Sequence, residues 1–214
     1  MTPGYALATH WVKAERTWPA YALLRGRRLE GIMVLDLTER TDEELAALAA
    51  REGSDGPAFV ALMARFRDRV WRACYRLMGN AEDANDAAQE VFVRLFLHRD
   101  RFAGRSRYST FVHGVALRTC LAMRRARSRR ERRVTLGETG HVPGQDDGKE
   151  GLRLDLMRML ETLDEDDRAM MILKHAEGHS YEELAEMFGL SESACKMRLS
   201  RAREKLKKRF PELQ

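Results

Sequence analysis

The stretch from Ser180 to Arg209 constrains the fold of this chain more than any other. Ser180-Tyr181-Glu182-Glu183 has capping-box spacing, in which the first and fourth residues exchange hydrogen bonds across a helix's first turn. It predicts a short helix with Leu184, Ala185 and Phe188 facing inward. Gly189-Leu190-Ser191 then makes a three-residue turn, and Ser191 is placed to cap a second, longer helix. On that helix Cys195, Leu199, Ala202 and Leu206 recur at steps of four, three and four residues, the stripe of one buried face. Two helices joined by a short glycine-containing turn, the second of them basic, form a helix-turn-helix.

The same register turns Ser193, Lys196, Met197, Ser200 and Arg201 outward on the first half of the second helix. In a helix-turn-helix that half meets base edges in the major groove. Lys196 and Arg201 suit guanine acceptors or phosphates, Ser193 and Ser200 suit either, and Met197 suits a thymine methyl. Arg203, Lys205, Lys207 and Lys208 suit phosphates, which position a protein without specifying sequence. The competing reading is an ordinary antiparallel helix pair with a basic solvent face.

Everything upstream reads as helix too, with six or seven helices and no convincing strand. Thr41-Asp42-Glu43-Glu44 is a second capping box, opening a short helix that ends near Gly53. Pro57 starts the next helix, whose stripe is Phe59, Leu62, Met63, Phe66, Val70, Cys74 and Leu77. Gly79-Asn80 breaks it. A third helix begins acidic, with Glu82 and Asp83 at the positive end of its dipole, and buries Ala84, Ala88, Val91 and Leu95. Residues 102–107 read as a loop. Ser109 or Thr110 then caps a helix carrying Phe111, Val115, Leu117, Cys120 and Leu121 into an arginine-rich run. Gly114 inside it costs about 1 kcal/mol against alanine, so something must favour glycine there. Residues 134–150 hold glycines, a proline and little apolar periodicity, which marks a flexible linker. Beyond it lie a helix with Leu152, Leu156, Met159, Leu160 and Leu163 inward, and another capped by Asp164 and ended by Gly178.

Charge is unevenly distributed. The net charge is +5, yet residues 124–133 carry seven arginines against one glutamate, and residues 192–209 eight Lys/Arg against two glutamates. The remainder is net acidic. Two basic islands, each closing an amphipathic helix, are the footprint of a polyanion binder. No run approaches the roughly 18 apolar residues of a membrane span, so no membrane insertion is expected. The cysteines, Cys74, Cys120 and Cys195, have no metal-ligand spacing and read as buried thiols in a reducing cytoplasm. His175 and His179 are spaced for a metal on one helix, but Gly178 ends that helix between them, so no metal is expected. Neither a cofactor nor a catalytic motif is expected, and the chain does not read as an enzyme.

The third helix adds a different kind of surface. Asp83, Asp86 and Glu90 lie opposite Val91 and Leu95, forming an acidic and amide stripe unsuited to DNA but suited to a basic partner helix. The sequence AEDANDAAQEVFVRLF (81–96) closely resembles the region 2 helix with which sigma factors of the extracytoplasmic-function (ECF) type dock on RNA polymerase. The resemblance lies in Asp86, Gln89-Glu90-Val91-Phe92 and Arg94-Leu95-Phe96. The segment from Arg101 to Arg130 resembles that family's promoter-melting segment, and residues 163–208 resemble its region 4. The likeness covers about residues 41–133 and 152–209.

The resemblance implies an all-α chain of two small helical domains joined by a flexible linker. Region 2 spans 33–133, the linker 134–151, and the helix-turn-helix region 4 spans 152–214. Residues 1–32 match nothing in the pattern; they are read as disorder or weak helix, and as a regulatory extension, a partner-binding arm, or translation from a start codon upstream of the real one, with Met33 the natural alternative start. It further implies binding to core RNA polymerase through Asp83, Asp86, Gln89, Glu90 and Arg94. Region 4 would read the upstream (minus-thirty-five) duplex with Ser193, Lys196, Met197, Ser200, Arg201 and Arg203. Region 2 would melt the downstream (minus-ten) element and hold its non-template single strand, with Arg105, Ser106, Arg107, Tyr108, Arg118, Arg124 and Arg125 as candidates. Phe102 and Phe111 are candidates for base stacking, though helix packing is the favoured role of each. The family often has tryptophan at the position of Phe111 and a basic-apolar pair at His113-Gly114, which leaves base selection open. An anti-sigma factor, often membrane-bound, is also implied. The rivals are a stand-alone helix-turn-helix regulator and a sigma-like decoy that docks on polymerase without reading DNA.

Overall fold

In a computed structural model, the structure describes residues 37–52, 56–134 and 156–211, and among them every regular element is helical. The N-terminal extension expected over 1–32, Met33 and nearly all of the expected linker lie outside the described residues. The described residues form two compact units: those up to Phe66 together with His98–Tyr108, and Arg67–Leu97 together with the described residues after Tyr108.

In the first unit, α1 (Asp42–Arg51) starts with the expected capping box: the Glu44 N–H donates to Thr41 Oγ1 (3.2 Å) and the Thr41 N–H to Glu44 Oε2 (2.8 Å). Glu52 follows α1 and accepts the Ala58 N–H (3.0 Å), closing the first turn of α2 (Pro57–Met78). Arg65 reaches back to the carbonyls of Leu37, Thr38 and Arg40 and to Asp42, satisfying acceptors that a short helical turn leaves open. Leu45, Phe59, Leu62 and Phe66 form the apolar centre.

The second unit holds the rest of α2, with α3 (Ala81–Leu97) and α4 (Tyr108–Val134). Gly79 takes a positive φ of 89° in the α2–α3 turn, and Asn80 Oδ1 caps α3 by accepting the Asp83 N–H (2.8 Å). Val70, Cys74 and Leu77 of α2, Ala84, Ala88, Val91 and Leu95 of α3, and Val112, Ala116, Leu117 and Cys120 of α4 are all buried. All three cysteines are free and buried; the neighbouring Cys120 thiol and burial together push Cys74 well above the ordinary thiol range. Helix α4 begins one or two residues before the expected cap, and Thr110 is buried within it.

After residues 156–161, also helical, come α5 (Glu165–His175), α6 (Tyr181–Phe188) and α7 (Glu192–Arg209). Leu156, expected inward, is 52% exposed. The packed face is instead that of Met157, whose Cε lies against Gly79, and of buried Leu160 and Leu163. Asp164 stands at the N-cap of α5 but makes no cap hydrogen bond; its carboxylate faces Lys205 Nζ (3.4 Å) on α7. The capping box of α6 forms as expected, and Gly189 ends α6 in the left-handed conformation (φ 65°) that glycine adopts without strain. Ser191 Oγ accepts the Ala194 N–H (3.2 Å), opening α7. His175 is exposed in the last turn of α5 while His179 is buried beyond it, so their rings part.

Candidate functional site

Helix α7 presents one buried and one open face. Cys195, Leu199 and Ala202 are almost wholly buried, while Ser193, Lys196, Met197, Ser200, Arg201 and Arg203 are all exposed. Met197 is 56% exposed, the one large apolar side chain on the open face of α7. The helix is held in place by ion pairs on its flank: Arg198 Nε donates to Asp167 Oδ1 (2.5 Å), and Lys205 Nζ faces Asp164 (3.4 Å) and Asp167 (3.7 Å). Asp167 is buried; the sequence explains the Asp166–Asp167 pair by helix dipole and capping, and Arg198 was not singled out. The Lys196 ammonium lies 3.7 Å from Glu192 and 5.2 Å from the Tyr181 ring centre, which orders the long side chain beside the base-reading positions.

The residues nominated for the downstream element divide between the two units. Arg105 and Arg107 are exposed in the loop after a short 3₁₀ turn, Arg99–Arg101, and Ser106 is half-buried. Tyr108, expected in that loop, is the first residue of α4 and belongs to the core. Its ring packs edge-on against Phe66 (5.5 Å) and Phe102 (5.1 Å), and its N–H donates to Glu43 Oε1 (2.9 Å). Burial, with Asp42 adding, pushes its phenol above the ordinary range. The loop ends at Arg107 as read from the sequence, but the helix starts before the Ser-Thr pair that looked like its cap, which takes Tyr108 out of the loop.

On α4, Arg118 folds back over Gly114: a Cβ there would lie 3.3 Å from Arg118 Nη1. Glycine therefore seats an arginine on a buried stretch of helix. Arg124 donates to the carbonyls of Leu77 and Met78 (3.3 Å each), closing the C-terminal end of α2. Arg125 pairs with Asp166 (2.7 Å) and Glu165 (3.6 Å) on α5. Arg168 is buried nearby, and burial together with Arg124 lowers it to about 10.

On α3, Val91 and Leu95 are buried, and Asp86, Gln89 and Arg94 are exposed on the other side. Glu90 holds Arg94 (2.6 Å). Asp83 is less available than the others, because it accepts from Asn80 Nδ2 (2.7 Å) and from Arg127 (2.5 Å) on α4. Sequence reasoning missed the apolar part of this face: Val93 is 50% and Leu97 61% exposed. With Gln89 they form a four-residue step, and that step was the available signal, masked by the stronger Val91–Leu95 stripe.

The chain matches the Sigma-70 region 2 family over residues 62–130 and the Sigma-70, region 4 family over residues 153–206. RNA polymerase sigma factor CarQ of Myxococcus xanthus is 30% identical, over 77% of this chain and 95% of its own length. ECF RNA polymerase sigma factor SigE of Mycolicibacterium smegmatis is 29% identical over 84% of this chain and 73% of its own. SigW of Bacillus subtilis is 26% identical over 74% and 92%. Among solved structures, CnrH in complex with the cytosolic domain of CnrY aligns with a TM-score of 0.57 at 25% identity, over 81% of this chain and 99% of that one. The sigma factor RpoE of Bartonella quintana, in complex with the anti-sigma factor NepR, aligns with a TM-score of 0.56 at 23% identity, over 68% and 92%.

Proposed function

Because this chain belongs to the ECF group of the sigma-70 family and so directs promoter-specific transcription initiation, we propose a division of that task between its exposed faces. The observation that carries the division is the opposite character of two open surfaces. One is the basic face of α7; the other is the acidic, amide and apolar face of α3.

Helix α7 reads the upstream duplex. Ser193, Lys196, Met197, Ser200 and Arg201 face the bases, and Arg203 faces the backbone. Helix α3 docks on core polymerase through Asp86, Gln89, Glu90 and Arg94, with Val93 and Leu97 as the apolar contact and Asp83 at its margin. Arg118, Arg124 and Arg125 on α4 supply a cationic track for the displaced strand, and Arg105 and Arg107 in the loop are further strand-binding candidates. Polymerase carries out the bond chemistry, and this chain makes or breaks no bond. It works in the cytoplasm, where polymerase and promoter meet; no helix of the described residues is long and apolar enough to cross a membrane. Both similar solved structures are complexes, CnrH with CnrY and RpoE with an anti-sigma factor, which supports an anti-sigma partner for this chain.

Run-off transcription with purified core polymerase and fragments of the source genome tests the reading. Wild type is expected to create new start sites, lost in both Gln89→Ala/Glu90→Ala and Lys196→Ala/Arg201→Ala. A chain that binds fragments without polymerase and initiates nothing is a stand-alone regulator instead.

A further inference from the structure

Within the second unit, the segment leading into the helix-turn-helix lies on the first half of α4, and it does so through polar groups. The Thr110 hydroxyl donates to Glu183 Oε1 (3.0 Å). Glu186 acts electrostatically on Arg118, Arg125 is paired with Glu165 and Asp166, and Arg76 of α2 is paired with Glu177. Two of the arginines nominated for the displaced strand, Arg118 and Arg125, thus face carboxylates of α5 and α6. An acidic surface lies where the strand's phosphates would run.

At the centre of this contact two imidazoles meet. His113 of α4 and His179, just before α6, are both buried, with ring centres 4.7 Å apart and planes at 72°. His113 Nδ1 is 2.8 Å from the Ser109 carbonyl, and His179 Nδ1 is 3.3 Å from Glu183 Oε2. His179 Nε2 is buried without a hydrogen-bond partner. Of the other charged groups, Arg69 of α2 and Glu177 after α5 act on His113, while Glu183 of α6 and Lys174 of α5, whose Nζ donates to the His179 carbonyl (2.9 Å), face His179; Arg76 of α2 is engaged by Glu177, and Arg118 of α4 by Glu186.

We propose that the α5–α6 segment is an intramolecular cover over the strand-binding half of α4, and that the His113–His179 contact makes this cover release on acidification. Protonating His113 places a charge in a buried site against the His179 ring, with Arg69 near. Burial first, and then His179 and Arg69, lower His113 from its ordinary 6.5, against the Ser109 carbonyl and Glu177. The sign follows: the closed form binds fewer protons than the open one, so closure is complete above 6.5 and weakens as pH falls below it. The consequence for transcription rests on the function proposed above, whereas the closure itself does not.

The test is a distance measurement on the full chain without polymerase or DNA. Nitroxide labels on Arg129→Cys of α4 and Glu204→Cys of α7, both exposed positions, leave the buried native cysteines unlabelled. A single narrow distance is expected at about pH 7.5. At about pH 5.5 it should give way to a broad, longer distribution, with a closed-to-open ratio lower by about tenfold as His113 takes up its proton in the open form. His113→Phe keeps a ring against His179 but cannot titrate, so its narrow distance should survive at the lower pH. Thr110→Val/Glu186→Gln should broaden the distribution already at the higher pH.

A broad distribution in wild type at pH 7.5 would overturn the cover. A narrow one at both pH values, acid opening that His113→Phe does not prevent, or loss of the helical circular-dichroism signal at pH 5.5 would overturn the histidine release. Failure of the sigma reading would appear in the transcription assay alone and leave these distances unchanged.

Discussion

Arg198 of α7 donates to the buried carboxylate of Asp167 on α5 at 2.5 Å, so the helix proposed to read DNA is oriented by an acid from the helix before the motif. Lys205 meets the same carboxylate at 3.7 Å. Asp167→Ala leaves both cations without that partner at a half-buried site and should destabilise the protein by about 2 kcal/mol. Urea denaturation measures this. A loss within error of zero would mean the ion pair merely decorates the surface.

Gly114→Ala should stabilise the chain by up to about 1 kcal/mol, the helix-propensity difference. The added Cβ meets only the mobile end of Arg118, at 3.3 Å, and a guanidinium can shift by a few tenths of an ångström. A rise in thermal midpoint, with weaker binding of single-stranded promoter DNA by the holoenzyme, is the expected pair of results. Lower stability would show that the Arg118 seat cannot yield.

Substitutions along α7 should separate specificity from affinity. Lys196→Ala or Arg201→Ala should lose on the order of 1–3 kcal/mol of discrimination between the upstream element and its base-pair variants. Lys207→Ala/Lys208→Ala should weaken binding to all sequences alike and reduce the salt slope by about two. Holoenzyme binding to promoter variants over a salt series reads both.

Val93→Ser and Leu97→Ser should each weaken association with core polymerase by about tenfold, with little change in folding stability. Both side chains are at least half exposed in the free chain, so their burial energy becomes available only on docking. Fluorescence titration against core polymerase, beside thermal melts, separates the two effects. Equal loss of stability and affinity would place these residues in the fold and not in the interface.

Glu183 links the α6 capping box to pH. Burial opposes its ionisation, but the Ser180 N–H, the Thr110 hydroxyl and His179 together hold its carboxyl below the ordinary 4.5. Its contribution is therefore present above 4.5 and lost as pH falls through the lower folded value. Glu183→Gln should flatten the acid limb of the stability profile between about pH 5 and 3, measured by denaturation at fixed pH values.

Much of this protein was legible in the sequence because helices are local objects. Both capping boxes, the glycine turn at Gly189 and the α7 stripe at Cys195, Leu199 and Ala202 depend on residues within a few positions of one another and form as their spacing predicts, while Leu206 at the end of that stripe is only half-buried. The all-α class and the ECF sigma family follow from the same local patterns, read in order. Tertiary structure decided what periodicity cannot express. Tyr108 looked like a loop side chain, but Phe66 and Phe102 draw it into the core. Leu156 fell on an apolar stripe that has no partner at that level, while Val93 and Leu97 fell off one and remain open. Gly114 had no local justification until Arg118 was seen lying across it, and His113 and His179 are strangers in sequence that meet at 4.7 Å. A stripe shows which face of a helix avoids water; only the packing of distant segments determines which side chains find a partner there.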